Sequence, residues 1–165
     1  MTEFHFPAKL QNLHSDILPS QLRYHNKRVA VSKEFTFDAA HHLHLYEGKC
    51  QSLHGHTYRL IVTVSGVPGH TGLTVDFSDL KAIYRQEIEA QLDHRYLNEV
   101  LPPMNTTAEN MVVWIWEQFD GALAARGLKA TGCRLEEITL YETPTSFATA
   151  KREWMESTEE SEQQR

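Results

Sequence analysis

Cys50-Gln51-Ser52-Leu53-His54-Gly55-His56-Thr57-Tyr58-Arg59-Leu60-Ile61-Val62-Thr63-Val64-Ser65-Gly66 is the stretch that decides the fold. From about residue 53, His54, His56, Tyr58, Leu60, Val62 and Val64 share one parity, while Thr57, Arg59, Ile61 and Thr63 share the other. Side chains of a strand alternate between faces, so a period of two predicts a half-buried strand whose first set points inward. His54 and His56 then lie on one face with their backbones about 6 to 7 Å apart. Two imidazoles on one strand face can hold a metal ion; rings that are merely exposed or hydrogen-bonded are the competing reading.

On the N-terminal side, residues 33–39 alternate Glu34, Thr36 and Asp38 against Phe35 and Phe37, the pattern of a second half-buried strand. It runs into Ala39-Ala40-His41-His42, so His41 can bring a third imidazole from a neighbouring strand. His42 and His44 compete with it, although alternation points His42 the other way. Three neutral imidazoles would leave a tetrahedral Zn²⁺ one open position, the arrangement of a catalytic site, and would leave the ion a strong Lewis acid. Cys50 stands four residues before His54, next to Lys49. As a thiolate it can be a nucleophile or base, as a fourth ligand it would close the metal, and otherwise it is a small apolar residue.

On the C-terminal side, residues 66–72 contain three glycines and a proline and predict a turn, and residues 73–77 predict a short strand. Asp76 or Ser78 can cap a helix through Gln91, with Leu80, Ile83, Tyr84, Ile88 and Leu92 near a 3.6-residue period. Asp93-His94 follows. An aspartate can fix a histidine tautomer and raise its basicity, which suits proton transfer, whereas a polar pair closing a helix is the plainer reading. Thr106-Thr107-Ala108-Glu109 resembles a capping box with Thr106 as the cap, which accounts for Glu109, and opens a helix bearing Met111, Val112, Ile115, Trp116, Phe119 and Leu123 up to Gly127. A further strand over residues 133–142 puts Ile138, Leu140 and Glu142 on one parity, and the Glu142 carboxylate at its end can accept paired N–H bonds from a guanidine-like ring edge. Cys133 reads as strand packing, and Trp114, Trp116 and Trp154 as packing residues.

The 165 residues suit one domain with its own core: residues 1–30 as an N-terminal extension, 31–155 as the domain and 156–165 as a polar tail. Strands followed by helices and a closing strand predict an α+β fold with helices on one face of a largely antiparallel sheet. A formal charge of -6 argues against a nucleic-acid partner. No stretch approaches the about 18 consecutive apolar residues of a membrane span, the first residues lack a basic-then-apolar leader, and the two cysteines do not make a disulfide scaffold. The expectation is a cytoplasmic protein.

Phe37-Asp38-Ala39-Ala40-His41, Cys50-Gln51-Ser52-Leu53-His54-Gly55-His56, Leu92-Asp93-His94-Arg95-Tyr96-Leu97-Asn98, Thr106-Thr107-Ala108-Glu109 and Tyr141-Glu142-Thr143-Pro144-Thr145-Ser146 together resemble the 6-pyruvoyltetrahydropterin synthase and 6-carboxy-5,6,7,8-tetrahydropterin synthase family. The resemblance implies a tunnelling fold, an antiparallel four-stranded sheet with two helices packed on one face, and assembly into a homohexamer of two stacked trimers with active sites at subunit boundaries. It implies Zn²⁺ on His41, His54 and His56, a catalytic thiol at Cys50, a proton-transfer pair at Asp93 and His94, and a pterin anchor at Glu142; Glu109 stands beside these as a second substrate-binding candidate, with capping as its competing role. Gly48-Lys49-Cys50 and the Glu142 segment look closest to the carboxytetrahydropterin branch. That branch is a lyase acting on 7,8-dihydroneopterin triphosphate in the route to queuosine and other 7-deazaguanines. A pyruvoyl-forming synthase and a zinc-stabilised pterin-binding or structural oligomer without catalysis are the alternatives.

Overall fold

The computed structural model describes residues 17–156. The proposed N-terminal extension therefore falls largely, and the polar tail almost entirely, outside the described residues. Strand β1 (Val29–His41) pairs antiparallel with β2 (His54–Gly66) in a register that sets His41 opposite His54. Phe35, Phe37, Ala39 and His41 are buried along β1 while Glu34, Thr36 and Asp38 are exposed, as alternation predicts. On β2 the buried set is Tyr58, Leu60, Val62 and Val64.

Strand β4 (Arg134–Thr143) lies on the other side of β2 and is itself flanked by β5 (Ser146–Lys151), both pairings antiparallel. A register shift opposite Thr63 and Val64 lets Leu135 and Ile138, of opposite parity, both enter the core. A two-residue strand, β3 (Arg95–Tyr96), adds parallel to β1, giving the order β3-β1-β2-β4-β5.

The sheet is thus mixed and five-stranded, not an antiparallel sheet of four. Two of its strands escaped the sequence reading for physical reasons. The inward residues of β5 are Ala148 and Ala150, too small to mark a hydrophobic face, while its large Phe147 is exposed; β3 is too short for any period. Residues 73–77 are not a strand. Val75 is buried there, and the Asp76 carboxylate accepts from Ser78 N at 2.7 Å, which starts the helix at once.

Helix α1 (Phe77–Ile83) continues through a π-helical segment (Tyr84–Glu89) into α2 (Ala90–Leu92). Leu80, Ile83, Tyr84, Ile88 and Leu92 are all buried along it, and Tyr84 stacks on Phe35 with ring centroids 4.1 Å apart while its hydroxyl donates to Thr36 O. The π segment admits one extra residue per turn and keeps that stripe on the sheet. After the short α3 (Leu97–Val100), α4 (Ala108–Ala125) buries Met111, Val112, Ile115, Trp116, Phe119 and Leu123. It ends at Gly127, whose φ of 73° fits a left-handed terminus. Of these four α-helices, two are long enough to cover the sheet and two are single turns, and a further helical stretch begins at residues 152–156.

The predicted helix cap is displaced by one residue. Thr107 caps α4, accepting from Asn110 N at 3.3 Å, because the Thr106 hydroxyl is engaged elsewhere. No helix among the described residues is long and apolar enough to cross a membrane.

Candidate functional site

At the ends of β1 and β2 the core gives way to imidazoles. His41 is 1% exposed, and its ring centroid lies 4.6 Å from that of His54 and 5.2 Å from that of His56; His54 and His56 are 4.9 Å apart. One ligand atom from each ring lies within 4.8 Å of the others. The sequence-predicted ring set is brought together as expected. His42 and His44 point elsewhere: their rings meet each other at 4.5 Å, and His42 Nδ1 meets the Tyr96 hydroxyl at 2.5 Å.

The hydrogen bonds around the rings say which nitrogen is free. His41 Nδ1 donates to Thr106 O at 2.8 Å, with Thr106 Oγ1 at 3.1 Å, and His54 Nδ1 donates to Ser52 O at 2.8 Å. A carbonyl can only accept, so Nδ1 is the protonated nitrogen of each of these two rings, and in the neutral tautomer Nε2 presents the lone pair. All three Nε2 atoms, on His41, His54 and His56, are buried and lack a hydrogen-bond partner. Buried polar atoms left unpaired cost stability, and three converging ring nitrogens, two of them backed by Nδ1 hydrogen bonds, are a donor set that could hold a metal ion. Burial pushes the pKa of His41 and His56 down, against the opposing pull of the Thr106 carbonyl on His41 and of Glu142 on both. Burial thus favours the neutral form of His41 and His56, the form that binds a cation.

Glu142, on β4, places Oε1 3.4 Å from His41 Nε2 and 3.8 Å from His56 Nε2. It is not part of the tight ring set, and neither is Cys50, so among the described residues the cluster has three protein ligand atoms. Beneath it, Tyr58 is fully buried, stacks on Phe37 at 4.9 Å and leaves its hydroxyl unpaired; burial and then Glu142 push its pKa well up.

Asp93 and His94 form a second centre. Asp93 Oδ2 is 2.9 Å from His94 Nδ1, although adjacent residues seldom pair, because His94 takes a left-handed backbone with φ 56°. Asp38 organises the turn: its N–H donates to Asp93 Oδ1 at 3.0 Å, its carbonyl accepts from His94 N at 2.6 Å, and its carboxylate accepts from Thr57 Oγ1 at 2.5 Å. The Asp38 N–H holds the Asp93 carboxyl below the usual range, and Asp93 raises the pKa of His94. Asp38 and Thr57 are cross-strand partners on the parity opposite to that of His41, His54 and His56. Ligand atoms of Asp38, Asp93 and His94 lie within 4.8 Å of one another, so the pair stands with the Asp38 carboxylate, on the other face of the sheet from the ring cluster, with His94 77% exposed. A cavity of about 580 Å³ is lined there by Asp38, Thr57, His94, Arg95 and the strand segment at His56.

Cys50 lies in a short 3₁₀ turn (Lys49–Gln51), partly exposed, and it and the buried Cys133 are both free thiols. Glu109 is exposed on the first turn of α4. Thr106, Asp38 and Thr57 were not singled out as site residues by sequence. Thr106 and Asp38 lay in quoted motifs, but their partners are up to 65 residues away and have no local signal.

The 6-pyruvoyl tetrahydropterin synthase family model matches residues 30–153. A Synechocystis protein named 6-carboxy-5,6,7,8-tetrahydropterin synthase is 40% identical over 123 residues, covering 72% of this chain and 89% of its own. A Haemophilus influenzae protein of the same name is 35% identical over 143 residues, covering 71% of this chain and 94% of its own. The solved 6-pyruvoyl tetrahydropterin synthase of Caenorhabditis elegans superposes with a TM-score of 0.67 at 26% identity, covering 78% of this chain and 99% of that one. With the ring cluster in place and the match running from β1 through β5, this chain belongs to the 6-pyruvoyl tetrahydropterin synthase family.

Proposed function

We propose that this protein is a zinc-dependent 6-carboxy-5,6,7,8-tetrahydropterin synthase. It converts 7,8-dihydroneopterin triphosphate and water to 6-carboxy-5,6,7,8-tetrahydropterin, acetaldehyde and triphosphate, a carbon-carbon lyase reaction on the way to queuosine. The observation that carries the reading is the convergence of three buried, unpaired Nε2 atoms beside the Glu142 carboxylate. The branch is supported by identities of 40% and 35% to relatives bearing that name, against 31% to mammalian relatives named as pyruvoyl-forming synthases.

His41, His54 and His56 would hold the zinc, which when bound supplies Lewis acidity that eases deprotonation of the substrate's side-chain hydroxyl. Glu142 accepts N–H bonds from the pterin edge and fixes the ring for proton transfer, with Glu109 on α4 as a second substrate contact. Cys50 removes a side-chain proton, and His94, its Nδ1 held by Asp93, returns one to the ring. Hydrogens move into the ring before the side chain is cleaved. Because the Asp93–His94 pair and the ring cluster stand on opposite faces of one sheet, the reading assigns each complete site to two copies of the chain, in the expected homohexamer of tunnelling-fold trimers.

The test is incubation of zinc-replete protein with 7,8-dihydroneopterin triphosphate and mass identification of the pterin and of acetaldehyde. Carboxytetrahydropterin with acetaldehyde supports the reading. A pyruvoyl product assigns the chain to the other branch, and unchanged substrate leaves only binding. In the same assay Cys50→Ala should retain zinc but lose about 10²- to 10⁴-fold in turnover, and Glu142→Gln should chiefly weaken pterin affinity.

A further inference from the structure

We infer that Asn98 and Asn105 are positioning residues whose side-chain amides clamp the segment from which Cys50 hangs. Strand β1 ends at His41, yet the chain runs on through His42, Leu43 and His44, whose backbone groups still need partners. Asn98 Oδ1 accepts from His42 N at 3.0 Å and its Nδ2 donates to His42 O at 2.9 Å. Asn105 repeats this on His44, accepting from N at 2.7 Å and donating to O at 2.9 Å. A carboxamide carries acceptor and donor side by side, so each asparagine pairs both backbone groups of one residue as a neighbouring strand would.

Between the clamped residues, Leu43 N donates to Cys50 O at 2.9 Å. That bond ties the thiol-bearing turn to the middle of a three-residue segment fixed at both ends. Little packing holds the turn otherwise: Lys49–Gln51 buries no residue, and Leu45 is fully exposed with φ 53°. The clamps are themselves anchored. Asn98 sits in α3, directly after the segment bearing Asp93 and His94, and Asn105 O accepts from Asn110 Nδ2 of α4 at 2.9 Å. Asn105 also adjoins Thr106, which holds the His41 ring. The two asparagines thus reference the thiol to the ring cluster through one neighbour and to the Asp93–His94 turn through the other.

The inference rests on the assignment of Cys50 as the reacting thiol, and the experiment separates the two. Asn98→Ala, Asn105→Ala, the near-isosteric Asn105→Asp and Cys50→Ala are prepared as zinc-replete full-length protein. Each is read for zinc stoichiometry and for kcat and KM with 7,8-dihydroneopterin triphosphate, and the three asparagine variants also for the rate at which iodoacetamide alkylates Cys50. The clamp predicts full zinc, a KM within about threefold, a kcat lowered about ten- to hundredfold, and altered Cys50 alkylation in each asparagine variant. Asn105→Asp keeps the acceptor and the volume but faces the His44 carbonyl without a donor, so it should match Asn105→Ala; a space-filling role predicts wild-type kcat. If the asparagine variants keep kcat while Cys50→Ala is inactive, the clamp is wrong and the thiol assignment stands. If zinc is lost in step with kcat, the residues serve the metal and the clamp is likewise wrong. If Cys50→Ala turns over normally, the thiol assignment fails, and unchanged alkylation in the asparagine variants then refutes the clamp as well.

Discussion

Two sets of histidines on opposite faces of one sheet have been driven to opposite chemistry. His41 and His56 are pushed down in pKa by burial at the end of the core, and their buried, unpaired Nε2 atoms converge. His94, out in solvent, is pushed up by a carboxylate at 2.9 Å. Desolvation penalises the charged imidazole and a nearby anion rewards it, so depth in the fold decides whether the residue serves as a lone-pair donor or as a proton carrier.

The largest test of that contrast is His54→Ala. Loss of one of three ligands should lower metal affinity more than about hundredfold, beyond what removing an outer hydrogen-bond partner does, and take turnover to background. Metal analysis after dialysis together with the product assay checks it, and full metal occupancy in the variant would break the contrast at its buried end. Asp93→Asn comes next: turnover should fall about 10²- to 10⁴-fold while zinc stoichiometry is unchanged. Loss of metal in this variant would mean that the two centres are not distinct. Thr106→Val removes the hydroxyl near His41 Nδ1 but keeps the carbonyl, so metal affinity should weaken by about tenfold, read by competition with a chelating dye.

The smallest effect is in pH. His94 is raised, so its contribution to stability is full below the ordinary imidazole value and is lost as pH rises through the raised one. Asp93 is lowered, so its contribution is present above the ordinary carboxylate value and is lost as pH falls through the lowered one. Both are charged in the window between. Because the ring is exposed, salt should screen the effect, and an NMR titration of His94 should move toward the ordinary value in Asp93→Asn and in high salt. An unmoved titration would show that the 2.9 Å contact does not persist in solution.

Much of the site could be read from residues because its geometry is periodic. Alternation placed His54 and His56 on the inward face with Tyr58 and Leu60, and Glu142 on the parity of Ile138 and Leu140. The helix over Leu80, Ile83, Tyr84, Ile88 and Leu92 was equally clear, although its π segment was not. The misread parts lack a period or depend on a distant partner. Alanines hid the inward face of β5, a core contact drew Val75 in without any strand, and the His41 ring engaged Thr106 and so moved the α4 cap to Thr107.

The sequence by itself determined which faces β1 and β2 bury and which residue types stand at the ends of β1, β2 and β4, since a period of two is a property of the extended backbone. Only the tertiary structure decided which ring nitrogens are free, that Asp93 and His94 stand across the sheet from the ring cluster, and that two asparagine amides hold the chain beyond β1. Apart from the local bond of His54 to Ser52, those outcomes depend on hydrogen bonds between residues more than 50 positions apart, and no local preference of the chain encodes such partners.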